Sequence, residues 1–247
     1  MGEAIKTKAI VLNKVDYKDN DRILTLFSLE KGKITVSVKG VKKTTSKLRP
    51  CSEIFFFGQY ILNETRGRFT VTGFDTIDTF SALREDFDKL SAGVLMLKMC
   101  EKAIEQDEQD EELFILLLKC IDYLRENDSI GGVLAVFLLK YCTVLGYAPQ
   151  LKKCVKCGQS DKLIYFDFAL GGIVCSRCGT KNEHIAITGE CLENLSKIVL
   201  LDIDSALNLI KDKKQEKEAY NAAKKYTAYL FDEKIKIIEY IAKYNLV

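Results

Sequence analysis

Apolar and polar positions alternate with a period of two over the first third of the chain, the pattern of strands with one buried face. Ala4–Leu12 alternates loosely and then meets a polar loop from Asn13 to Asp21. Arg22–Ser28 reads as the next strand, and Glu30-Lys31-Gly32-Lys33 has the composition of a hairpin turn. Ile34, Val36 and Val38 fall on one face of a third strand. A basic loop from Lys39 to Arg49 ends at Pro50, and two further strands, Glu53–Asn63 and Arg68–Phe74, flank a turn at Glu64–Gly67. Five short strands in about 75 residues predict a small closed barrel. An oligonucleotide-binding (OB) barrel has this strand count, and an SH3-like barrel shares it.

From Asp78 the period lengthens to that of a helix. Leu83, Phe87, Leu90, Val94 and Leu97 trace one stripe, with Thr79 or Ser81 as the cap. An acidic loop, Glu105–Glu112, separates this helix from a second over Leu113–Leu124. Ser129–Leu145 is a third, nearly all apolar, ended by Gly146 with Pro149 close behind. Beyond residue 181, Cys191–Leu200 and Asp204–Ile210 read as short helices, and Ala219–Tyr244 as a longer one that breaks near Asp232. The class is α+β. The expected domains are a barrel over residues 1–80, a helical domain over 81–150 and 182–247, and a metal-binding insertion over 151–181.

That insertion carries the sharpest chemistry. Cys154-Val-Lys-Cys157 is followed after seventeen residues by Cys175-Ser-Arg-Cys178, a spacing within the window for a four-cysteine zinc site. Zn²⁺ takes four thiolates tetrahedrally and keeps no open position, so such a site is structural. Gly158 and Gly179 each follow a second cysteine, where a knuckle turn calls for positive φ. Leu163–Phe168, a Gly171-Gly172 turn and Ile173-Val174 supply a hairpin, which makes a zinc ribbon; a ribbon that keeps its fold without metal is the alternative. A thioredoxin-like redox site needs one such pair opening a helix, and a zinc deaminase needs an upstream His-x-Glu. Neither pattern is present, because the sole histidine, His184, lies downstream.

Net charge is +2, but it is unevenly spread. Lys31, Lys33, Lys39, Lys42, Lys43, Lys47 and Arg49 occupy residues 31–49 with no acidic residue among them. Unopposed positive charge of this density binds phosphates through counterion release without reading sequence. Arg66 and Arg68 on the next hairpin extend the candidate nucleic-acid surface. Phe55, Phe56, Phe57, Tyr60, Phe69 and Phe74 offer stacking platforms, although strand alternation turns at least half of them inward. Five cysteines outside the ribbon, Cys51, Cys100, Cys120, Cys142 and Cys191, read as buried free thiols of a reducing compartment. The apolar run from Ile130 to Leu139 is too short to span a bilayer.

Catalytic constellations are lacking. No GxxxxGK[ST] phosphate loop occurs, His184 has no evident partner and reads as a polar surface residue, and Asp107–Glu112 reads as a solvated loop. The expectation is a protein that is not an enzyme, has no small-molecule substrate and no membrane association.

The opening "TKAIVLNKVDYKDNDRILTLFSLEKGKITVSVKGVKK", the run Ser46-Lys-Leu-Arg-Pro50, and "LGYAPQLKKCVKCG" ahead of "FDFALGGIVCSRCG" carry a further signal. In these stretches, and in pattern over nearly its whole length, the chain resembles the bacterial recombination mediator family RecO. The resemblance implies an N-terminal OB fold, a helical domain and an embedded ribbon that binds structural zinc through Cys154, Cys157, Cys175 and Cys178. It also implies binding to single- and double-stranded DNA, annealing of complementary strands and help in loading the RecA recombinase. The partners it implies are RecR and the acidic tail of single-strand-binding protein, in a cytoplasmic, nucleoid-associated setting. Its DNA-contacting residues would fall between Lys33 and Arg49, with Arg22 close by. A zinc-ribbon/OB RNA-binding protein of translation or transcription is the alternative, followed by a catalytic-zinc enzyme and a protein-binding adaptor.

Overall fold

The computed structural model describes residues 4–209 and 212–231. The helical stretch expected beyond Phe231, with its break near Asp232, and the end of the helix expected to reach Ile210 lie outside the described residues. The chain forms two compact units: residues up to Asp86 with Gly93–Leu117, and Phe87–Ala92 with the described residues from Leu118 onward.

In the first unit, β1 (Ala4–Tyr17), β2 (Asp21–Ser28), β3 (Gly32–Val38), β4 (Phe57–Thr65) and β5 (Arg68–Asp78) close into a barrel of order β1-β2-β3-β5-β4. That order is the OB arrangement. Alternation fills the barrel as expected: Ile34, Val36 and Val38 meet Leu24, Leu26, Leu62 and Val71 in one buried cluster. β1 is long enough to pair with β4 through Ala4–Ile10 and with β2 through Ala9–Tyr17, bending at an irregularity between Val11 and Asn13. Residues 13–17, expected as loop, are therefore strand. Their polar side chains face solvent while the backbone is satisfied across the hairpin, a state that hydropathy does not distinguish from coil.

Two other boundaries differ from the sequence pattern. β4 starts at Phe57 rather than Glu53, because Pro50–Ser52 turns as a 3-10 helix and Phe55 adopts φ 70° with its amide donating to Val11 O at 3.3 Å. The helix expected soon after Asp78 is instead a 3-10 turn, Ser81–Glu85, and α1 runs Phe87–Ala103.

The acidic run is not a free loop. Its backbone lies along the β2–β3 hairpin: Lys33 N donates to Glu108 O at 3.3 Å, Asp107 N to Lys33 O at 2.9 Å, and Gln109 Nε2 to Glu30 O at 2.5 Å. Gly32 makes this possible, with φ +66° and no room for a side chain, since a Cβ there would sit 1.7 Å from Glu108 O. Phe114, at the start of α2 (Glu111–Glu126), packs edge-on against Phe27 with ring centroids 5.1 Å apart.

The second unit is built on α3 (Ile130–Val144), buried nearly all round. α6 (Lys213–Phe231) packs against it, and the buried Glu216 carboxylate accepts from Gly131 N at 2.6 Å, where the helix has unpaired amides. A small sheet of order β7-β6-β8 follows α3, with β6 at Leu163–Asp167, β7 at Gly172–Cys175 and β8 at Ile185–Ala186. α4 (Gly189–Leu200) is capped by Thr188 and α5 (Ile203–Leu207) by Asp202, each side chain accepting from an amide three residues on.

Gly32 and Gly67 both have positive φ, but nothing lies within 4 Å of a Cβ at Gly67. Gly67→Ala should therefore cost about 1 kcal/mol, the left-handed penalty alone. Gly32→Ala should cost at least about twice that, because it must also push the acidic strap off the hairpin. Urea unfolding of the two variants measures the difference, and equal costs would mean that the strap contact is not tight.

Candidate metal and nucleic-acid sites

Two knuckles bring the four ribbon cysteines together. Their Sγ atoms all lie within 4.8 Å of one another, and those of Cys157 and Cys175 are 3.7 Å apart. Four thiolates at about 2.3 Å from a tetrahedral centre stand roughly 3.8 Å from each other, so the donor set fits a metal ion. Backbone amides converge on the sulfurs. Burial would raise the Cys154 and Cys175 thiols, but neighbouring N–H groups outweigh it and hold both below the ordinary range, whereas hydrogen bonds with the Cys157 and Cys175 sulfurs push the Cys178 thiol up to about 12. Gly158 has the expected positive φ of 75°. Gly179 does not require it; there, a Cβ would collide with Tyr165 and Val174 at 2.6 and 2.8 Å.

His184 was expected at the surface, yet its side chain is 3% exposed. It belongs to the ribbon, where Nδ1 accepts from Thr180 N at 3.1 Å and Nε2 donates to Asp167 Oδ2 at 3.1 Å, a tautomer assigned from these partners. Its partners are remote in sequence except for Thr180, so a linear reading could not supply them.

The basic loop is pegged to the barrel. Val41 is buried in the barrel cluster, with Leu48 packed against it. Lys42 N donates to Asn20 O at 3.0 Å, Gly40 N to Asp21 Oδ1 at 2.8 Å, and Arg49 Nη2 to Lys42 O at 3.1 Å. Between the pegs, Lys39, Lys43 and Lys47 are exposed and make no ion pair among the described residues. Lys42 reaches Asp16 at 3.2 Å.

The nine basic residues chosen from sequence divide by setting. Lys39, Lys42, Lys43, Lys47 and Arg49 share this loop. Arg22 lies at its base, 15% exposed, paired with Asp16 at 3.0 Å and Glu53 at 2.9 Å and bonded to Ser52 Oγ at 2.9 Å. Its guanidinium shapes the loop's foundation, and Lys14 joins the network through Glu53. Lys33 turns away, donating to Glu101 O at 3.0 Å. Arg66 and Arg68 are exposed at the β4–β5 hairpin. β5 pairs with β3 at Val36↔Phe69, which places Arg68 about one strand residue before that pair and roughly 13 Å from Lys39 at strand rise.

Of the candidate aromatics, Phe55, Phe56 and Tyr60 are core residues with at most 1% exposure. Phe57 and Phe74 are occupied edge-on by Phe114 and Phe56. Phe69 remains at the surface of the barrel. Tyr17, 48% exposed at the end of β1, was passed over because its segment reads as loop.

The chain matches a family model described as Recombination protein O N terminal over residues 1–80 and one described as Recombination protein O C terminal over residues 84–223. Curated relatives named DNA repair protein RecO include that of Bacillus pumilus, 31% identical over 180 residues, which are 73% of this chain and 70% of the relative. The Clostridium novyi protein is 29% identical over 236 residues, covering 95% and 92%. The Halalkalibacterium halodurans protein is 30% identical over 179 residues, covering 72% and 70%. No described helix is long and apolar enough to cross a membrane.

Cys154→Ser and Cys175→Ser should each abolish stoichiometric metal, read by elemental analysis, and lower the melting temperature; unchanged metal and melting in both would dismiss the centre. Arg22→Met should cost about 1–2 kcal/mol through loss of charged hydrogen bonds. Arg22 and Lys42 hold the Asp16 carboxyl below its usual range, and Lys14 with Arg22 overcome burial to do the same for Glu53. Depressed carboxylates stabilise above their unfolded pKa and stop doing so as pH falls through the folded value. The gap between wild type and Arg22→Met should therefore shrink as pH drops through the acidic range, and a pH-independent gap would assign Arg22 to packing alone.

Proposed function

The chain belongs to the recombination protein O family, and on that premise we propose that it is a DNA-binding mediator of recombinational repair. It binds single- and double-stranded DNA, brings complementary strands together and assists loading of the RecA recombinase. The observation that carries this reading is the braced loop from Lys39 to Arg49, which holds three lysines outward with no ion pair among the described residues. A surface of this kind binds phosphate by counterion release, with affinity falling steeply in salt.

Annealing needs no active site. Two complementary strands repel through their phosphates, and a basic surface that holds both lowers the repulsion without consuming a nucleotide. Weak, exchangeable contacts serve this better than tight ones, and the reading is accordingly of a protein that is not an enzyme. Lys39, Lys42, Lys43, Lys47 and Arg49 are the main contacts, Arg66 and Arg68 a second set, Arg22 supports the surface from beneath, and Lys33, turned to Glu101 O, takes no part. The four-cysteine centre takes Zn²⁺ as a structural ion. RecR and the acidic tail of single-strand-binding protein are the proposed protein partners, in the cytoplasm at the nucleoid.

Annealing of two labelled complementary DNA strands without nucleotide tests this. The wild type should accelerate annealing at low salt and lose the effect as salt rises, and Lys39/Lys42/Lys43/Lys47→Glu should fall to background. No acceleration by the wild type, or equal rates in the variant, would overturn the reading. Acceleration with RNA strands only would favour the translation or transcription alternative.

A further inference from the structure

The cysteines differ in what solvent can reach. Cys51, Cys100, Cys120, Cys142 and Cys191 are at most 2% exposed, and burial pushes the Cys51, Cys142 and Cys191 thiols up to about 12, 11 and 12. Buried thiols of this kind are inert. In the ribbon, Cys154 and Cys175 are also buried and Cys178 is half-buried, but Cys157 is exposed. The first knuckle is bare around it. Nothing lies within 4 Å of a Cβ at Gly158, whereas the matching position of the second knuckle, Gly179, is packed against Tyr165 and Val174. Lys152, Lys153 and Lys156, all exposed, lead into Cys157, and a cationic, accessible setting is the one in which a cysteine sulfur reacts.

We propose that the ribbon is an oxidant-responsive metal site, in which hydrogen peroxide reaches Cys157 first and Cys175 then closes a disulfide with it. The Cys157 sulfur attacks a peroxide oxygen, gains a hydroxyl and releases hydroxide, which leaves a sulfenic acid. The Cys175 sulfur, 3.7 Å away, attacks the oxidised sulfur and expels a second hydroxide as the S–S bond forms. Two thiolates have lost two electrons, and one peroxide has gained them. Cys154 and Cys178 remain, half of a tetrahedral set, too few to hold a structural Zn²⁺ ion. Because Cys175 ends β7, the new bond ties the first knuckle to the sheet, and the ribbon exchanges a metal clasp for a covalent one. Thiols of a reducing compartment reverse the bond by exchange.

The inference rests on the zinc reading of the four cysteines, and the two fail separately. The full chain, loaded with Zn²⁺, is treated with hydrogen peroxide beside a chromogenic zinc chelator, and its cysteines are mapped by mass spectrometry. About one zinc per chain should be released, in step with a Cys157–Cys175 disulfide, and dimedone should trap the sulfenic acid at Cys157. The five cysteines outside the ribbon should stay reduced over the same time, and dithiothreitol with Zn²⁺ should restore the metal content. The oxidised protein should melt between the zinc-loaded protein and the reduced protein stripped by chelator, since one crossing link remains. Cys157→His keeps a ligand set that holds structural zinc and removes the exposed sulfur, so it should retain metal under peroxide that empties the wild type. The wild-type map decides the matter if that variant takes up no metal. A wild type that takes up no zinc before peroxide is added defeats the zinc reading. Zinc held through oxidation, first oxidation at another cysteine, a disulfide closed within one knuckle, or release from Cys157→His at the wild-type rate would overturn the switch alone.

Discussion

Closure of the five-stranded sheet is the constraint on which the barrel unit depends. β1 serves two neighbours by bending at Val11–Asn13, and the circle is completed by a short parallel contact, Val36↔Phe69 and Ser37↔Thr70. Closure leaves no unpaired strand edge to template aggregation. It also forces the chain from β3 to β4 to cross the barrel by a long connection, and that connection is the basic loop. Val41 enters the buried cluster and Leu48 packs against it, as does Cys51, so the crossing is tacked down at intervals. Cationic side chains are thus displayed from a fixed backbone, because ordering has been met by burial before any ligand arrives.

Electrostatics under the loop follow from the same geometry. Exposed ion pairs contribute little, and the Lys42–Asp16 contact is of that sort. Arg22 differs because its guanidinium is shielded and makes several bonds at once, to Asp16, Glu53 and Ser52. It neutralises two carboxylates at the base of the loop, Asp16 and Glu53, which would otherwise weaken the positive field above them. A basic residue can therefore shape a positive surface from beneath without being displayed on it.

Much of this was legible in the sequence, and the gaps have physical causes. Ile34, Val36 and Val38 announced their strand because one face is dry and the other wet, and the paired Cys-x-x-Cys motifs announced a metal cluster because few other sites need that spacing. The end of β1, through Tyr17, was missed for the opposite reason: a solvent-exposed hairpin end has polar neighbours on both faces and no periodicity to read. The docked strap was missed because its bonds are mostly backbone to backbone, between segments about 75 residues apart, with Gly32 as a local trace. His184 was misplaced because burial of a polar ring depends on partners such as Asp167 that only the folded hairpin supplies. Arg22 and Lys33 looked equivalent to their neighbours, since charge can be counted along a chain but its direction cannot.

The ribbon shows what a metal ion would add to the fold at its four cysteines. Its own buried cluster is small, made of Cys154, Tyr165, Val174 and Cys175, too little apolar surface to hold a separate layer by burial. One flank is secured otherwise: Phe166 and Phe168 pack on Tyr226 of α6, at ring separations of 5.3 and 6.4 Å, and Tyr226 OH donates to Tyr147 O at 2.9 Å. Among the described residues, the knuckle end has no such ring packing onto a helix, and it is there that the four sulfurs converge. A metal ion bound at that point adds its binding free energy to folding where burial is weakest. Removing such an ion should loosen the knuckles while the aromatic flank stays docked on α6, so a bound metal would fasten the ribbon where the aromatic packing does not reach.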